Sequence, residues 1–319
     1  MKSVTRFMNT DPVLRLQCII IIIVALAFSA TLGSRYFSVA NFQSIGSQLP
    51  MLGMLTLGMG ITMLTGGINL SIIAGANACS LVMAAIIVSH PANPLFIVLA
   101  LLAGIAVAVV IGVLNGALVA WVGVSPILAT LGTMTLISGL NILLSDGALI
   151  SGFPDAIQLL GNATFLGIPA ALLLFIGVTA LLWILLEHTT LGRSLYLLGS
   201  NEQATRFSGV NTARVQLAVY IISALLGWLA AILMMAKFNS AKAGYGESYL
   251  LVTILASVLG GINPDGGFGR VIGLVMALIV LQMLESGFNL LGISSFLTMA
   301  LWGGVLIPVS YTHLTLPTI

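Results

Sequence analysis

Charge is the scarcest property of this sequence. Lys and Arg number 10 and Asp and Glu 8 among 319 residues, 6% together, where a soluble globular chain carries about a quarter. None of the four occurs in the 110 residues from Tyr36 to Ser145. That absence excludes a soluble domain. Cysteine is nearly missing too: Cys18 and Cys79 lie in apolar runs without metal-type spacing, which argues against a disulfide framework or a thiolate metal site. No Gly-Lys pair exists, so the chain lacks the P-loop that cradles nucleotide phosphates and is not itself an ATPase. GGFGRVIG has misspaced glycines and no strand-helix-strand unit around it, which discards a dinucleotide site. His90 and His188 fall at span ends and His313 in the last residues, so no metal or catalytic set emerges and no cofactor is expected. A net charge of +2, scattered along the chain, gives no footing for nucleic acid.

What the chain does have is apolar length. Hydrophobic residues make up 59% and mean hydropathy is +1.18. A membrane-spanning helix needs about 20 mostly apolar residues, and ten runs can be placed: 16–32, 49–64, 68–89, 95–122, 127–145, 164–187, 215–236, 249–260, 270–287 and 293–307. The expectation is an all-α polytopic membrane protein with a single permease-sized domain over 1–308. The first run resembles a signal peptide but reads as a retained helix. With the basic N-terminus on the cytoplasmic side, seven of the ten basic residues fall inside (Lys2, Arg6, Arg15, Arg193, Arg206, Arg214, Arg270) and three outside (Arg35, Lys237, Lys242), as the positive-inside rule expects.

Two Gly-rich stretches interrupt the pattern, near 64–70 (TGGIN) and 259–271 (GGINPDGGFGR). Each reads either as a tight hairpin turn or as a broken helix, whose bare backbone must be buried in protein or face a wet cavity. Gly112 with Gly116, and Gly269 with Gly273, permit close helix packing. Asn69, Asn77, Asn115, Asn141 and Gln282 are candidates to line a passage or to bridge helices. Glu285 is the best-placed intramembrane acid, although its position near a span end also suits a side chain reaching the interface.

The charged segment GRSLYLLGSNEQATRFSGV, Gly192 to Val210, stands out. Ser200 with Gln203 fits a capping box and Gly209 a helix stop, which frames a two-turn helix over 201–208. Glu202 and Arg206 stand four apart, acid first, adding only about 0.2 to 0.5 kcal/mol. A helix this short is marginal alone. It is either a capped solvated loop or a piece that docks on a partner.

Thr189 to Val215 resembles the cytoplasmic segment of ribose-type ABC importer permeases, of the branched-chain amino acid/ribose permease superfamily, at Gly192, Arg193, Gly199, Asn201, Ala204, Gly209 and Val210. LTGGINLSI, ILATLGTMTL, VLGGINPDGGFGRVIG and GFNLLGISSF resemble further elements of that family, so the likeness runs from Gly46 to Ile307. One departure stands out: the family commonly has an acid where this chain has Asn69. The resemblance implies a multi-pass subunit of the bacterial inner membrane that pairs with a second copy or a sister permease. It would move a sugar delivered by a periplasmic binding protein, by alternating access, and do no chemistry of its own. A separate ABC ATPase would dock on the short helix, giving Gly192, Arg193, Gly199, Asn201, Glu202, Ala204, Arg206 and Gly209 a coupling role. The competing expectation is a secondary transporter or facilitator without an ATPase, and the charge-free stretch argues against its ion coupling. An intramembrane enzyme lacks a His and carboxylate set. Pentoses, deoxyhexoses and furanose signalling sugars all fit.

VSYTHLTLPTI, after Pro308, is neither apolar nor basic. Read back through one choice of codons, it resembles a translated sequencing-library adapter, so 309–319 are expected to be non-native and the natural end of the protein to be missing.

Overall fold

Hydropathy sets a helix against lipid, and what happens on its other faces decides its place in the bundle. The computed structural model describes residues 12–165 and 167–315, without the side chains of residues 160 and 307–315. The helices are α1 (Pro12–Leu32), α2 (Val39–Met63), α3 (Ile72–Ser89), α4 (Pro94–Ala120), α5 (Pro126–Ser145), α6 (Asp155–Asn162), α7 (Ala170–His188), α8 (Thr190–Ser200), α9 (Glu202–Phe207), α10 (Thr212–Phe238), α11 (Tyr249–Leu259), α12 (Val271–Leu290) and α13 (Ser295–Thr315). Lys2 and Arg6 lie outside the described residues, as does the end of the 309–319 segment, whose backbone is helical as far as Thr315.

Every residue of α2 from Leu49 to Met63 is buried. Such a helix is enclosed by protein on all sides, and α2 packs against α10, α12, α11 and α7. Its glycines make that possible. A Cβ at Gly53 would strike the Phe175 ring, and one at Gly58 would lie 3.1 Å from Ser223 O. Helices in lipid associate through this kind of close approach, since apolar burial alone drives little there. The same holds for Gly112 and Gly116 of α4, whose absent side chains leave room for the Ile221 and Leu217 backbone of α10. Packing is therefore their role.

Seven helices among the described residues are long and apolar enough to cross a membrane: α1 with its 3-10 extension to Arg35, α3, α4, α5, α7, α10 and α12. The expected count of ten is not reached on length and composition. α11 has only 11 residues, and the stretch of α13 with described side chains, Ser295–Leu306, is an apolar helix shorter than a span. α2 is 25 residues long but diluted by Gly, Ser and Thr, which a helix that meets protein on all sides tolerates. The 164–187 run also begins differently from its reading. Its first residues form a small antiparallel pair, β2 (Thr164–Phe165) with β3 (Ile168–Pro169), and the helix starts at Ala170. A second pair joins β1 (Ile150–Ser151) to β4 (Ser240–Ala241).

Both expected interruptions are present, at 64–71 and 260–270. They meet at one end of the bundle, together with α8, α9 and the start of α1, where Gln17 Nε2 donates to Leu259 O (2.8 Å) and Gly273 O (3.0 Å). At the opposite end Lys237 Nζ donates to Ser47 Oγ (3.1 Å) and Ser286 Oγ to Asn41 Oδ1 (2.7 Å), tying α10 and α12 to the start of α2.

Candidate functional site

The short charged segment is built as an elbow of two helices. Thr189 caps α8: its Oγ1 accepts the Gly192 N–H (3.2 Å) and donates to Leu185 O (2.6 Å). A Cβ at Gly192 would strike the Leu186 and Leu185 carbonyls, so glycine is what lets α8 leave α7 so abruptly. α8 buries Leu195 and Leu198 and leaves Arg193 exposed. The chain then turns extended at Asn201 (φ −163°, ψ 106°), whose Oδ1 accepts the Ala204 N–H at 2.9 Å.

Asn201, not Ser200, is therefore the cap. Ser200 still belongs to α8 and its hydroxyl donates back to Tyr196 O (2.9 Å). α9 is consequently six residues, Glu202–Phe207, and not the eight expected. Gly209 ends it at φ +83°, the left-handed conformation that glycine adopts freely. Thr205 alone in α9 is buried. Glu202, Ala204 and Arg206 are exposed, no ion pair joins Glu202 to Arg206 among the described residues, and Phe207 is 91% exposed. Nothing in composition singled out Phe207. Its signal was position alone, an aromatic at the end of a helix too short to bury it.

The elbow is wedged into both helix breaks. A Cβ at Gly199 would lie against Leu64 O and Gly267 N at once, and the Gly267 N–H itself donates to Leu64 O (2.9 Å), tying one break to the other. A Cβ at Gly266 would come within 2.6 Å of Gly66 N, and one at Gly267 within 2.5 Å of Ser200 Oγ. Tyr196 Oη donates to Gly269 O (3.0 Å). Burial, assisted by the Glu187 charge and opposed by Arg270, pushes the Tyr196 phenol up to about 12, so it remains a donor at neutral pH. Three segments distant in sequence thus meet backbone to backbone.

The sequence-derived passage residues have separate places. Asn69 and Asn115 belong to one buried network. Asn69 Nδ2 donates to Ser223 Oγ (2.9 Å), and its Oδ1 accepts from Ser71 N (3.2 Å) and Ser71 Oγ (2.8 Å). Asn115 Nδ2 donates to Ser71 Oγ (2.7 Å), and Thr133 Oγ1 donates to Asn115 Oδ1 (2.6 Å). Ser223 Oγ completes the chain to Gly58 O (2.8 Å). The network clasps the 64–71 break between α2, α4, α5 and α10. Asn141 Nδ2 donates to Ala74 O (3.0 Å) and Asn77 Nδ2 to Tyr245 O (3.0 Å), so those two also bridge chain segments. Gln282 is buried on α12.

A multi-pass helical bundle with two broken helices locked to an exposed elbow has the architecture of a membrane permease. Residues 41–310 match the family model described as branched-chain amino acid transport system / permease component, and the chain belongs to that family. It is a transport subunit, not an enzyme. The ribose import permease protein RbsC of Bacillus subtilis (strain 168) is 35% identical over 291 residues, 91% of this chain and 88% of that protein. RbsC of Escherichia coli (strain K12) is 35% identical over 287 residues, 89% and 88%. The autoinducer 2 import system permease protein LsrD of Yersinia enterocolitica is 33% identical over 264 residues, 81% and 78%. No solved structure matches the chain.

Proposed function

We propose that this chain is the membrane-spanning subunit of an ATP-driven importer of a neutral sugar, and that α9 is where a separate ABC ATPase docks. The curated relatives are import permeases for ribose and autoinducer 2. The observation that carries the docking role is the exposure of α9 on every residue but Thr205, in a helix too short to be stable unaided, wedged at its base into both helix breaks. The ATPase would seat Phe207 in a groove. Closure of the ATPase on ATP would then swing the α8–α9 elbow, press Gly199 against Leu64 and Gly267, and rock α2–α3 and α11–α12 around a central path. A periplasmic binding protein would deliver the sugar at the opposite end, and a second copy or a sister permease would complete the path.

Sidedness follows the basic residues. Arg15, Arg193, Arg206, Arg214 and Arg270 belong to elements at the elbow end, while Arg35, Lys237 and Lys242 belong to the other, so the positive-inside rule puts the elbow and the N-terminus in the cytoplasm of a bacterial cell.

The test is co-purification in detergent with a co-expressed ABC ATPase of the same importer class. Phe207→Ala removes an anchor whose burial stabilises by about 1.5 to 3 kcal/mol, so ATPase retention should fall roughly tenfold or more. Glu202→Arg and Ala204→Asp, on the same exposed surface, should release it while the permease still inserts. A native chain that retains no ATPase would place the energy source elsewhere and favour a secondary transporter.

A further inference from the structure

The end of the bundle opposite the elbow holds a run of cavities that none of the sequence-derived passage residues lines. The largest, about 460 Å³, opens between α11, α12 and α13, and its wall includes Tyr249, Glu285, Asn289, Thr298 and Trp302. A neighbouring cavity of about 290 Å³ shares Glu285 and Asn289 with it. Two more, of about 140 and 400 Å³, share Tyr249. Glu285 thus stands between two cavities and Tyr249 among three. Glu285 lies 14 positions beyond Val271, about 21 Å along α12, well away from the elbow.

Glu285 is half-buried, and among the described residues no hydrogen bond or ion pair reaches its carboxylate. An acid in such surroundings is costly unless donors reach it, and inside a membrane it faces a wet space that does work. Its helix carries Gln282, Glu285 and Asn289 at three- and four-residue spacing, which puts them on one face. Gln282 is 2% exposed and Asn289 lies at the exposed rim, so this polar stripe descends from the mouth into the bundle. Trp302 is buried and, with Tyr249, supplies aromatic surface to the same cavity.

Among the described residues, no Lys or Arg lines the large cavity. A zwitterionic amino acid would bring in a carboxylate with no cation to meet it, beside an acid already there. A polyol brings the reverse: hydroxyl donors for the carboxylate, where charge-assisted bonds are the strong ones, and C–H faces for the rings. The volume suits a small ligand.

We propose that this cavity is a sugar-binding site of the permease itself, in which Glu285 accepts hydroxyls from adjacent sugar carbons, Asn289 holds the rim, and Tyr249 and Trp302 cover the apolar face. The inference rests on reading the chain as a sugar permease and adds a recognition step of its own, separate from that of any delivering protein.

The test is equilibrium binding of radiolabelled D-ribose to the full chain in lipid nanodiscs, with ATPase co-purification measured on the same variants. Wild type should bind D-ribose in the millimolar range. Glu285→Gln and Trp302→Leu should weaken binding at least tenfold and Glu285→Asp less, all retaining the ATPase as wild type does. Asn289→Leu, at the exposed rim, should weaken it several-fold and keeps the test valid should a buried variant fail to fold. No binding by wild type, or unchanged binding by Glu285→Gln, overturns the site even where the ATPase is retained. Loss of ATPase from wild type would instead strike the importer reading.

Discussion

Gly199→Ala is expected to lower the melting temperature of the detergent-solubilised permease by several degrees and to cut ATP-driven uptake in proteoliposomes at least tenfold. Viewed as a helix residue alone, Gly199 should gain from the change, since alanine is better than glycine in a helix by about 1 kcal/mol. The neighbours reverse the sign. The added methyl would fall against Leu64 O and Gly267 N, both backbone atoms, so no side chain can rotate out of its way. Overpacking of this kind costs about 1 to 3 kcal/mol or more, and here it would part the Gly267 N–H to Leu64 O bond between the two breaks. Gly177→Ala is the control. It lies inside α7 and its added methyl meets open space, so it should leave uptake nearly intact. A more stable Gly199→Ala protein with normal uptake would show that the breaks move independently of the elbow.

Asn69→Leu should destabilise more than Asn69→Asp by about 2 kcal/mol, read as a larger fall in melting temperature by size-exclusion fluorescence. Leucine has similar bulk but accepts nothing, leaving the Ser71 N–H and the Ser71 hydroxyl without their acceptor in a region where Asn69 is 2% exposed. A buried donor left unpaired costs about 1 to 3 kcal/mol. A carboxylate at 69 keeps both of those bonds and gives up only the donation to Ser223 Oγ, which already donates to Gly58 O. Membrane hydrogen bonds average only about 0.6 kcal/mol in double-mutant cycles, so a difference of this size requires that the unpaired groups find no other partner. Equal losses for the two variants would mean that packing, not the network, holds the 64–71 break.

Several features were legible because they depend on one stretch of chain at a time. The apolar runs of α3, α4, α5, α10 and α12 were placed to within a few residues, since lipid solvates a helix through its own side chains. Both breaks were marked by their glycines. The helix stop at Gly209 was correct because it depends on one residue's conformational range.

Other features depended on neighbours. Ser200 and Asn201 are both good caps, and the choice went to Asn201 because α8, held by Leu195 and Leu198, runs on through Ser200. Asn69 and Asn115, 46 positions apart, could each be named as polar residues in spans. Their joining through Ser71 required α4 and the 64–71 break to be side by side. Glu285 could be flagged as an intramembrane acid, but the cavity it faces is walled by α11 and α13, which no local pattern brings together.

The sequence by itself determined that this protein lives in a membrane, is helical, interrupts its apolar pattern at two glycine-rich stretches and carries a short charged helix, because hydropathy, glycine content and capping are properties of single segments. Only the tertiary structure decided that the two breaks and the elbow form one junction, that the asparagines clasp helices, and that an unpaired acid faces a cavity at the far end. Those depend on distances between separate segments of the chain, set by how small residues let particular backbones touch.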